Sequence, residues 1–296
     1  MVGKQERRYQ RMITVVLALI SLIMVIPLVL LVVASFTSNN EIVLHGYSFF
    51  PKELSLEAYR YIWNERAQVF HAYGITILVT AIGTTIGVMM TLLYAYVLAH
   101  EKFPGKTFLA FYLFFTMLFN GGLVPTYIMY TRYLHMKNTI PALIIPGLLM
   151  SAFNVILTRT YIQSNVPAAL SEAAKIDGAT EFQVFRKVVL PMCKPIIATV
   201  GLFAGLGYWN DWTNGLYYIT DTNKFSIQQL LNNMIKNIEF LSKNANSNIN
   251  LASVGGGIPQ ETVRMAIAIV GLLPILIVFP FVQKYFVKGI SIGAVK

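Results

Sequence analysis

Six long apolar blocks constrain this sequence more than any other feature. Each block is almost free of charge, and as a helix rising about 1.5 Å per residue it can cross a hydrocarbon core of about 30 Å. Lipid offers no hydrogen bonds to an open backbone, so such runs can span only as helices. The sequence therefore predicts an all-α membrane protein with a six-helix transmembrane bundle, whose spans lie at about 12–36, 72–99, 107–131, 140–162, 195–219 and 264–286.

The composition agrees with a membrane protein. The chain of 296 residues is 56% hydrophobic and only 12% charged, whereas soluble domains are about 25% charged. A formal net charge of +10 does not indicate nucleic acid, because the basic residues lie at the ends of apolar blocks without interleaved aromatic residues. We expect membrane lipid around the spans and no nucleic-acid partner.

The distribution of Lys and Arg predicts the orientation in the membrane. Fourteen of the 23 basic residues lie in segments on the side of the N-terminus, and this excess marks the cytoplasmic side. Both termini are expected there, as is the hairpin at 164–194, while loops 37–71 and 220–263 are expected outside. The first apolar block is longer than a signal-peptide core and lacks an A-x-A site, so residues 1–296 are expected to form one permanently anchored transmembrane domain.

The sequence shows no arrangement that performs covalent chemistry. Nothing resembles a nucleophile with its base, paired catalytic carboxylates or metal-ligand spacing, and "PGKTF" at 104–108 lacks the earlier glycine of a phosphate-binding loop. An ion-coupled carrier usually keeps several ionisable groups inside its spans, but Asp211 is the one acid within a predicted span. We therefore expect a transport subunit with no catalytic residue, metal or cofactor of its own, powered by another polypeptide.

Small residues on the second apolar block predict close helix packing. Thr76, Thr80 and Thr84 recur every four residues, and Gly83 and Gly87 lie beside them. Such a stripe lets a second helix approach closely. We expect this face to pack against a neighbouring span.

A charged segment interrupts the apolar chain between the fourth and fifth blocks, "ALSEAAKIDGATEFQVFRKVVLPMCKP" at 169–195. Pro167 can open a helix over 167–177, and Gly178 can end it in the left-handed conformation. Thr180 and Gln183 form a capping-box pattern for a second helix that runs to Leu190. The segment therefore predicts a helical hairpin.

One face of the first hairpin helix is suited to docking. Ala169, Ala173 and Ile176 share this face, while Glu172 and Lys175 can pair one turn apart on another. Small side chains permit close approach and flanking charges fix the register. A solvated connector fits the same pattern equally well, so the pattern alone leaves both interpretations open.

A family resemblance favours docking. Glu172-Ala173-Ala174, Asp177-Gly178-Ala179 and Leu190-Pro191, with Phe185 between them, resemble the EAA loop of permease subunits from ATP-binding-cassette (ABC) importers. These residues are most similar to those of the carbohydrate branch of the family, which includes the small permease of maltose transporters. The stretch "GYWNDWTNGLYYIT" at 207–220 and the tail at 281–296 resemble the same family, although Trp212 stands where Phe is more usual.

The resemblance implies a type I ABC importer permease fold, with the hairpin between spans 4 and 5 as the cytoplasmic coupling element. It implies a second, homologous permease subunit, two copies of a cytoplasmic ATPase that carry ATP and Mg, and an extracellular or periplasmic solute-binding protein. The implied cargo is a carbohydrate, expected to be an oligosaccharide. The residues expected to couple to the ATPase are Glu172, Ala173, Ala174, Asp177, Gly178, Ala179, Phe185, Leu190 and Pro191.

Aromatic and amide side chains are the candidates for a sugar path or outer gate. They are Tyr208, Trp209, Asn210, Asp211, Trp212, Asn214, Asn120 and Asn154. An interfacial aromatic belt explains the first group equally well, and hydrogen bonds between helices explain the last two. The outer loop 220–262, rich in Asn, Ser and Gly, is expected to contact the binding protein or to reach toward its sugar site.

Three alternatives stay open at this point. The chain could be an ion or solute channel or a secondary carrier with a regulatory hairpin. It could be an ABC permease for a solute other than sugar. It could also be a membrane sensor or scaffold, whose hairpin recruits a soluble partner without transport.

Overall fold

The structure of the chain is a computed structural model that describes residues 4–100, 103–244 and 260–294. Within these ranges the chain is helical, and its extended pairing is limited to one isolated antiparallel bridge between Thr37 and Leu54. The predicted all-α class is therefore confirmed. Of the outer loop 220–262, residues 245–259 lie outside the described residues, and of the tail 281–296 the structure describes the backbone through Ala294.

Fifteen α-helices follow one another in the described part of the chain. They are α1 Lys4–Ser35, α2 Asn39–His45, α3 Glu57–Asn64, α4 Arg66–Ala99, α5 Lys106–Leu118, α6 Leu123–Ile128, α7 Pro141–Ile144, α8 Ala152–Asn165, α9 Ala168–Ile176, α10 Glu181–Val184, α11 Leu190–Met192, α12 Lys194–Trp209, α13 Thr213–Tyr218, α14 Ile227–Asn244 and α15 Gln260–Ala294. Wider π-helical turns at Met129–Tyr133 and Phe185–Val189 continue α6 and join α10 to α11.

Three helices in the described part are long and apolar enough to cross a membrane: Arg8–Ser35 of α1, all of α4, and Gln260–Pro280 of α15. Two bent pairs raise the number to five if each pair is one span. They are Lys106–Leu118 with Leu123–Tyr133, bent by 114°, and Glu181–Met192 with Lys194–Trp209, bent by 81°. The membrane class is supported, and the count of six spans stays a prediction.

The third predicted block bends because its sequence breaks the helix. Between α5 and α6 stand Asn120, Gly121 and Gly122, and Gly122 has a φ of 83°. That left-handed region strongly favours glycine. Pro125 follows within the first turn of α6, where a missing N–H leaves no helical bond unmade. The block at 107–131 is therefore two helices instead of one straight rod.

The fourth predicted block is also divided. It contains α7, only four residues long, and α8, with an irregular segment at 145–151 between them. Pro146 lacks an N–H, and Gly147 has a φ of 72°, so neither residue can continue the helix. Irregular backbone at membrane depth is tolerated where protein covers it or where it lines a cavity, and both conditions are met here, as described below.

The chain forms two compact units, of which the first comprises Met1–Val69 and Leu231–Pro274. After α1, the chain turns back on itself through the bridge, and the Glu41 carboxylate accepts hydrogen bonds from the amides of Lys52 at 2.7 Å and Glu53 at 2.6 Å. Tyr59 stacks on Phe36 with ring centroids 4.8 Å apart. The loop predicted at 37–71 is therefore a folded segment that contains α2 and α3.

The second unit comprises Phe70–Leu230 and Ile275–Lys296. Its main apolar core joins α4, α8, the hairpin helices and α12. The members with the least exposure include Ala95, Leu98, Val155, Val184, Val189, Cys193 and Val200. The core thus fastens the charged hairpin directly to the apolar spans.

Helices α4 and α12 pack through the small residues that the sequence singled out. A Cβ added at Gly83 would overlap the ring of Tyr208, and a Cβ added at Gly205 would lie 3.6 Å from Oγ1 of Thr84. On the same stripe, Thr76 is 1% exposed. The prediction that this face packs against another span is confirmed.

Candidate functional site

The turn of the hairpin has the predicted geometry. Helix α9 ends before Gly178, which has a φ of 82°. The amide of Gly178 donates to the Lys175 carbonyl at 3.0 Å, and the amide of Ala179 donates to the Ala174 carbonyl at 2.9 Å. These two bonds satisfy carbonyls that the end of a helix otherwise leaves unpaired. The observed helix, Ala168–Ile176, agrees with the predicted 167–177 within one residue at each end.

The second half of the hairpin begins with the predicted capping box. Oγ1 of Thr180 accepts from the amide of Gln183 at 3.4 Å, and Oε1 of Gln183 accepts from the amide of Thr180 at 2.9 Å. Both bonds satisfy amides at a helix start. The helical backbone then continues to Met192, two residues beyond the predicted end at Leu190.

The face predicted to dock is uncovered on this chain. Ala169, Ala173 and Glu172 are exposed, and Ile176 is 86% exposed. Asp177, Gly178 and Pro191 are exposed as well, whereas Ala174, Ala179 and Leu190 pack partly against the core. This exposed face thus carries a large apolar side chain, that of Ile176, beside small and charged residues.

Phe185 contacts the chain itself. Its side chain is 4% exposed, and its ring centroid lies 5.2 Å from that of Tyr96 on α4. Val184 and Val189 are buried beside it. Phe185 therefore attaches the hairpin to the spans, a structural role that its place in the EAA-like pattern did not reveal.

A polar cluster ties the hairpin to the end of α4. Glu181 accepts from Nζ of Lys175 at 2.5 Å and from the Tyr96 hydroxyl at 2.9 Å. The hydrogen bond from Lys175 is the main cause that lowers the pKa of the Glu181 carboxyl below its ordinary value. The sequence predicted a pair between Lys175 and Glu172, but Lys175 instead crosses the turn to Glu181.

Two candidates from the aromatic stretch support the irregular backbone of the fourth block. Tyr208 is 2% exposed and its hydroxyl donates to the carbonyl of Ile144 at 2.9 Å. Nδ2 of Asn214 donates to the carbonyl of Pro146 at 2.9 Å. These bonds supply partners that the broken helix cannot provide. Sequence patterns could not reveal this function, because the bonds join residues more than 60 positions apart.

The other candidates of this stretch lie at different levels of exposure. Oδ1 of Asp211 accepts from the amides of Thr213 at 3.0 Å and Asn214 at 3.2 Å, and thereby starts α13. Trp209 is half-buried with its ring 6.3 Å from that of Tyr73, whereas Asn210 and Trp212 are exposed.

Asn120 is exposed in the break before α6, where its side chain accepts from the Gly122 amide at 2.8 Å. The structure does not gather all eight candidates at one place.

Asn154 lies in a cavity of about 420 Å³ within the second unit. The wall also includes Thr91 of α4, Ser151 and the irregular backbone at 147–149, and Gly207 of α12. Phe153 and Phe203 line it too, and they are 57% and 40% exposed. Of the cavity's polar residues, sequence analysis found Asn154 alone, because Thr91 and Ser151 stand in apolar runs without a distinctive pattern.

The Tyr208 hydroxyl should stabilise the broken fourth block measurably. In a Tyr208→Phe variant the ring packing is kept, but the Ile144 carbonyl loses its partner, which costs about 1–3 kcal/mol when the group is buried. We expect a lower midpoint in a thermal unfolding assay in detergent. Tyr217→Phe on the neighbouring helix is the control and should leave the midpoint unchanged. Equal midpoints for both variants would show that the bond does not stabilise the fold.

Long apolar helices, bent helix pairs and a solute-sized cavity are typical of an integral membrane protein of the transport class. The chain belongs to the binding-protein-dependent transport system inner membrane component family, whose model matches residues 2–292. The resemblance found in the sequence is thereby confirmed. The family is a transport-system component and the relative YtcP, described next, is by name a transport permease, so the expectation of a transport subunit is confirmed.

Two relatives and one solved structure resemble the chain over nearly its full length. The polygalacturonan/rhamnogalacturonan transport system permease protein YtcP of Bacillus subtilis is 35% identical over 292 residues, 99% of each chain. Protein LplC of the same organism is 34% identical over 274 residues, 93% of this chain and 90% of LplC. A bacterial ABC transporter that imports the acidic polysaccharide alginate has a chain with a TM-score of 0.78 and 28% identity, and the match covers 97% of this chain and 99% of that one.

Proposed function

We propose that the chain is one of two dissimilar permease subunits of an ATP-driven importer, and that its cargo is an oligosaccharide from a uronic-acid-containing polymer. The cargo class is supported by YtcP, whose name specifies polygalacturonan and rhamnogalacturonan, and by the structural similarity to the alginate importer. The chain would form half of the path. The complete transporter would also contain a second permease, two ATPases that bind ATP and Mg, and a solute-binding protein.

The observation that carries this proposal is the uncovered hairpin face. Ile176 and its alanine neighbours are exposed on α9, and the second half of the same hairpin is fixed to the core by buried residues such as Phe185. A docked ATPase would bury this face and push on an element already attached to the bundle. With both termini in the cytoplasm, as the basic residues predict, the hairpin lies on the side where ATP is available.

The cavity supports a solute path through this chain. Asn154 and Thr91 supply hydrogen-bonding groups, and the exposed rings of Phe153 and Phe203 supply apolar faces. Sugars are bound by such combinations of amide and aromatic side chains. Trp209, Asn210, Asp211 and Trp212 would act as an outer gate, and loop 220–263 would meet the binding protein.

Co-purification tests this function directly. The chain is tagged at its C-terminus, extracted in mild detergent from its own host, and the proteins that accompany it in fixed ratio are identified by mass spectrometry. We expect a second permease and an ATPase, and the reconstituted complex should take up trigalacturonate or a related glycan in an ATP-dependent way. A chain that purifies alone and conducts solute without ATP would instead show a channel or carrier.

A further inference from the structure

The hairpin meets the end of α4 at four polar side chains, which we call the hairpin clasp: Tyr96, His100, Lys175 and Glu181. Glu181 accepts from Lys175 and Tyr96 at 2.5 and 2.9 Å, and its Oε2 lies 3.9 Å from Nε2 of His100. Nζ of Lys175 lies 3.1 Å from the same His100 nitrogen. One carboxylate thus gathers donors from both elements.

The clasp is more than an exposed ion pair. The Glu181 side chain is 61% exposed, and a lone pair of this kind contributes little because water screens it. Tyr96, however, is partly buried against the main core, with its ring 5.2 Å from the buried ring of Phe185 and 5.0 Å from His100. The carboxylate therefore binds a hydroxyl that packing already holds in place, and this arrangement fixes the hairpin against α4.

The contact between the hairpin and α4 matters because these two elements are far apart in the sequence. Along the chain the hairpin is joined to α8 and, through the 81° bend near Cys193, to α12. It has no sequence connection to α4, which lies far earlier in the chain and contributes Gly87 and Thr91 to the cavity. Tyr96 stands on α4 between this cavity wall and the hairpin. A movement of the hairpin can reach this wall directly through the clasp.

We propose that Tyr96 is a positioning residue whose hydrogen bond to Glu181 makes the hairpin and the adjoining end of α4 move as one body. Hairpin displacement then shifts the α4 wall of the cavity, in addition to any movement passed along the chain into α12. The inference rests on the proposed function, because it needs an ATPase that moves the hairpin. Tyr96 and Glu181 act through α4 and do not need to touch either ATP or cargo.

The first test measures solute transported per ATP hydrolysed in proteoliposomes that contain the whole transporter. Tyr96→Phe removes the hydroxyl and keeps the ring, and Glu181→Gln removes the charge and keeps the shape. We expect each variant to lower this ratio at least about fivefold, the low end of typical coupling factors, while the ATPase stays bound. Tyr112→Phe, an exposed tyrosine on α5, is the control and should keep the ratio of the parent protein.

The double variant distinguishes an effect of the bond between Tyr96 and Glu181 from two independent effects. If Tyr96 and Glu181 act through their mutual bond, combining Tyr96→Phe with Glu181→Gln should lower the ratio no further than one change alone. Multiplied effects, or unchanged ratios in both single variants, would overturn the proposal.

A distance measurement tests the rigid-body movement itself. The single cysteine, Cys193, is 0% exposed, so spin labels can be directed to cysteines placed at exposed Leu93 and Phe182. We expect one narrow distance distribution in both the nucleotide-free and the vanadate-trapped transporter, and a broad one when Tyr96→Phe is added. A distance that changes between the two states of the parent protein would show that the clasp opens during the cycle, and the inference would be wrong.

These results are distinguishable from a failure of the proposed function. If no ATPase binds the parent chain, or if uptake proceeds without ATP, the importer function fails. If ATP drives uptake and the clasp variants keep the transport ratio, the importer function stands and this inference alone fails.

Discussion

Replacing Gly83 by alanine destabilises the second unit and strongly reduces transport. The added methyl group would overlap the Tyr208 ring, which is buried and held by its bond to the Ile144 carbonyl. The ring must move, so the variant combines overpacking, about 1–3 kcal/mol, with loss of a hydrogen bond worth about 1 kcal/mol. We expect a clear fall in the thermal midpoint in detergent and a matching loss of ATP-driven uptake.

The same helix provides a matched control. Gly74 also lies on α4, but a Cβ added there meets nothing within 4 Å. Gly74→Ala should leave the midpoint unchanged or raise it slightly, because alanine suits a helix interior better than glycine. Equal behaviour of the two variants would contradict the close approach of α4 and α12.

Replacing Gly178 by tryptophan is expected to disconnect the transporter from its ATPase. A Cβ at Gly178 meets nothing within 4 Å, so the fold has room for the side chain, and the φ of 82° adds strain of about 1–2 kcal/mol. Gly178 is exposed and lies two residues after Ile176, so we expect the indole to add bulk next to the uncovered face. Loss of a contact worth about 2–4 kcal/mol lowers ATPase affinity by roughly 30-fold to 800-fold, which quantitative co-purification would measure.

Two further variants isolate the docking effect. Gly178→Asn keeps a residue that tolerates the left-handed conformation and adds little bulk, so the ATPase should stay bound. Glu172→Lys reverses a charge on α9 without touching the turn, and should weaken ATPase binding while the thermal midpoint is kept. Normal ATPase association in both Gly178→Trp and Glu172→Lys would remove the docking role of the hairpin.

The hairpin was predictable because its signals are local. Proline, the left-handed glycine and the capping box each act within one helical turn, so the residues themselves specify the start and end of each helix. The pairing of Lys175 was not predictable in the same way. Glu172 and Glu181 are both near in sequence, and the fold of the turn decides which one the ammonium group reaches.

In contrast to the hairpin, the sequence did not predict whether the third and fourth blocks are single straight helices. Their hydrophobic composition predicts burial in lipid, yet it says nothing of whether each run is one helix. Pro146 and Gly147 make a break possible, and the break is stabilised by Tyr208 of α12 and Asn214 of α13, which bind its carbonyls. A sequence pattern cannot show such partners until the chain is folded.

The sequence by itself thus determined the helical membrane class, the small-residue packing stripe and the hairpin with its capped turn, because the solvent and short-range sterics decide these features. The tertiary structure alone decided where the candidate residues serve. It places Asn154 in a cavity. It also shows that Tyr208 and Asn214 donate hydrogen bonds to the carbonyls of the broken fourth block, and that Tyr96 donates to Glu181. These roles depend on contacts between distant parts of the chain, which form only when packing brings the helices together.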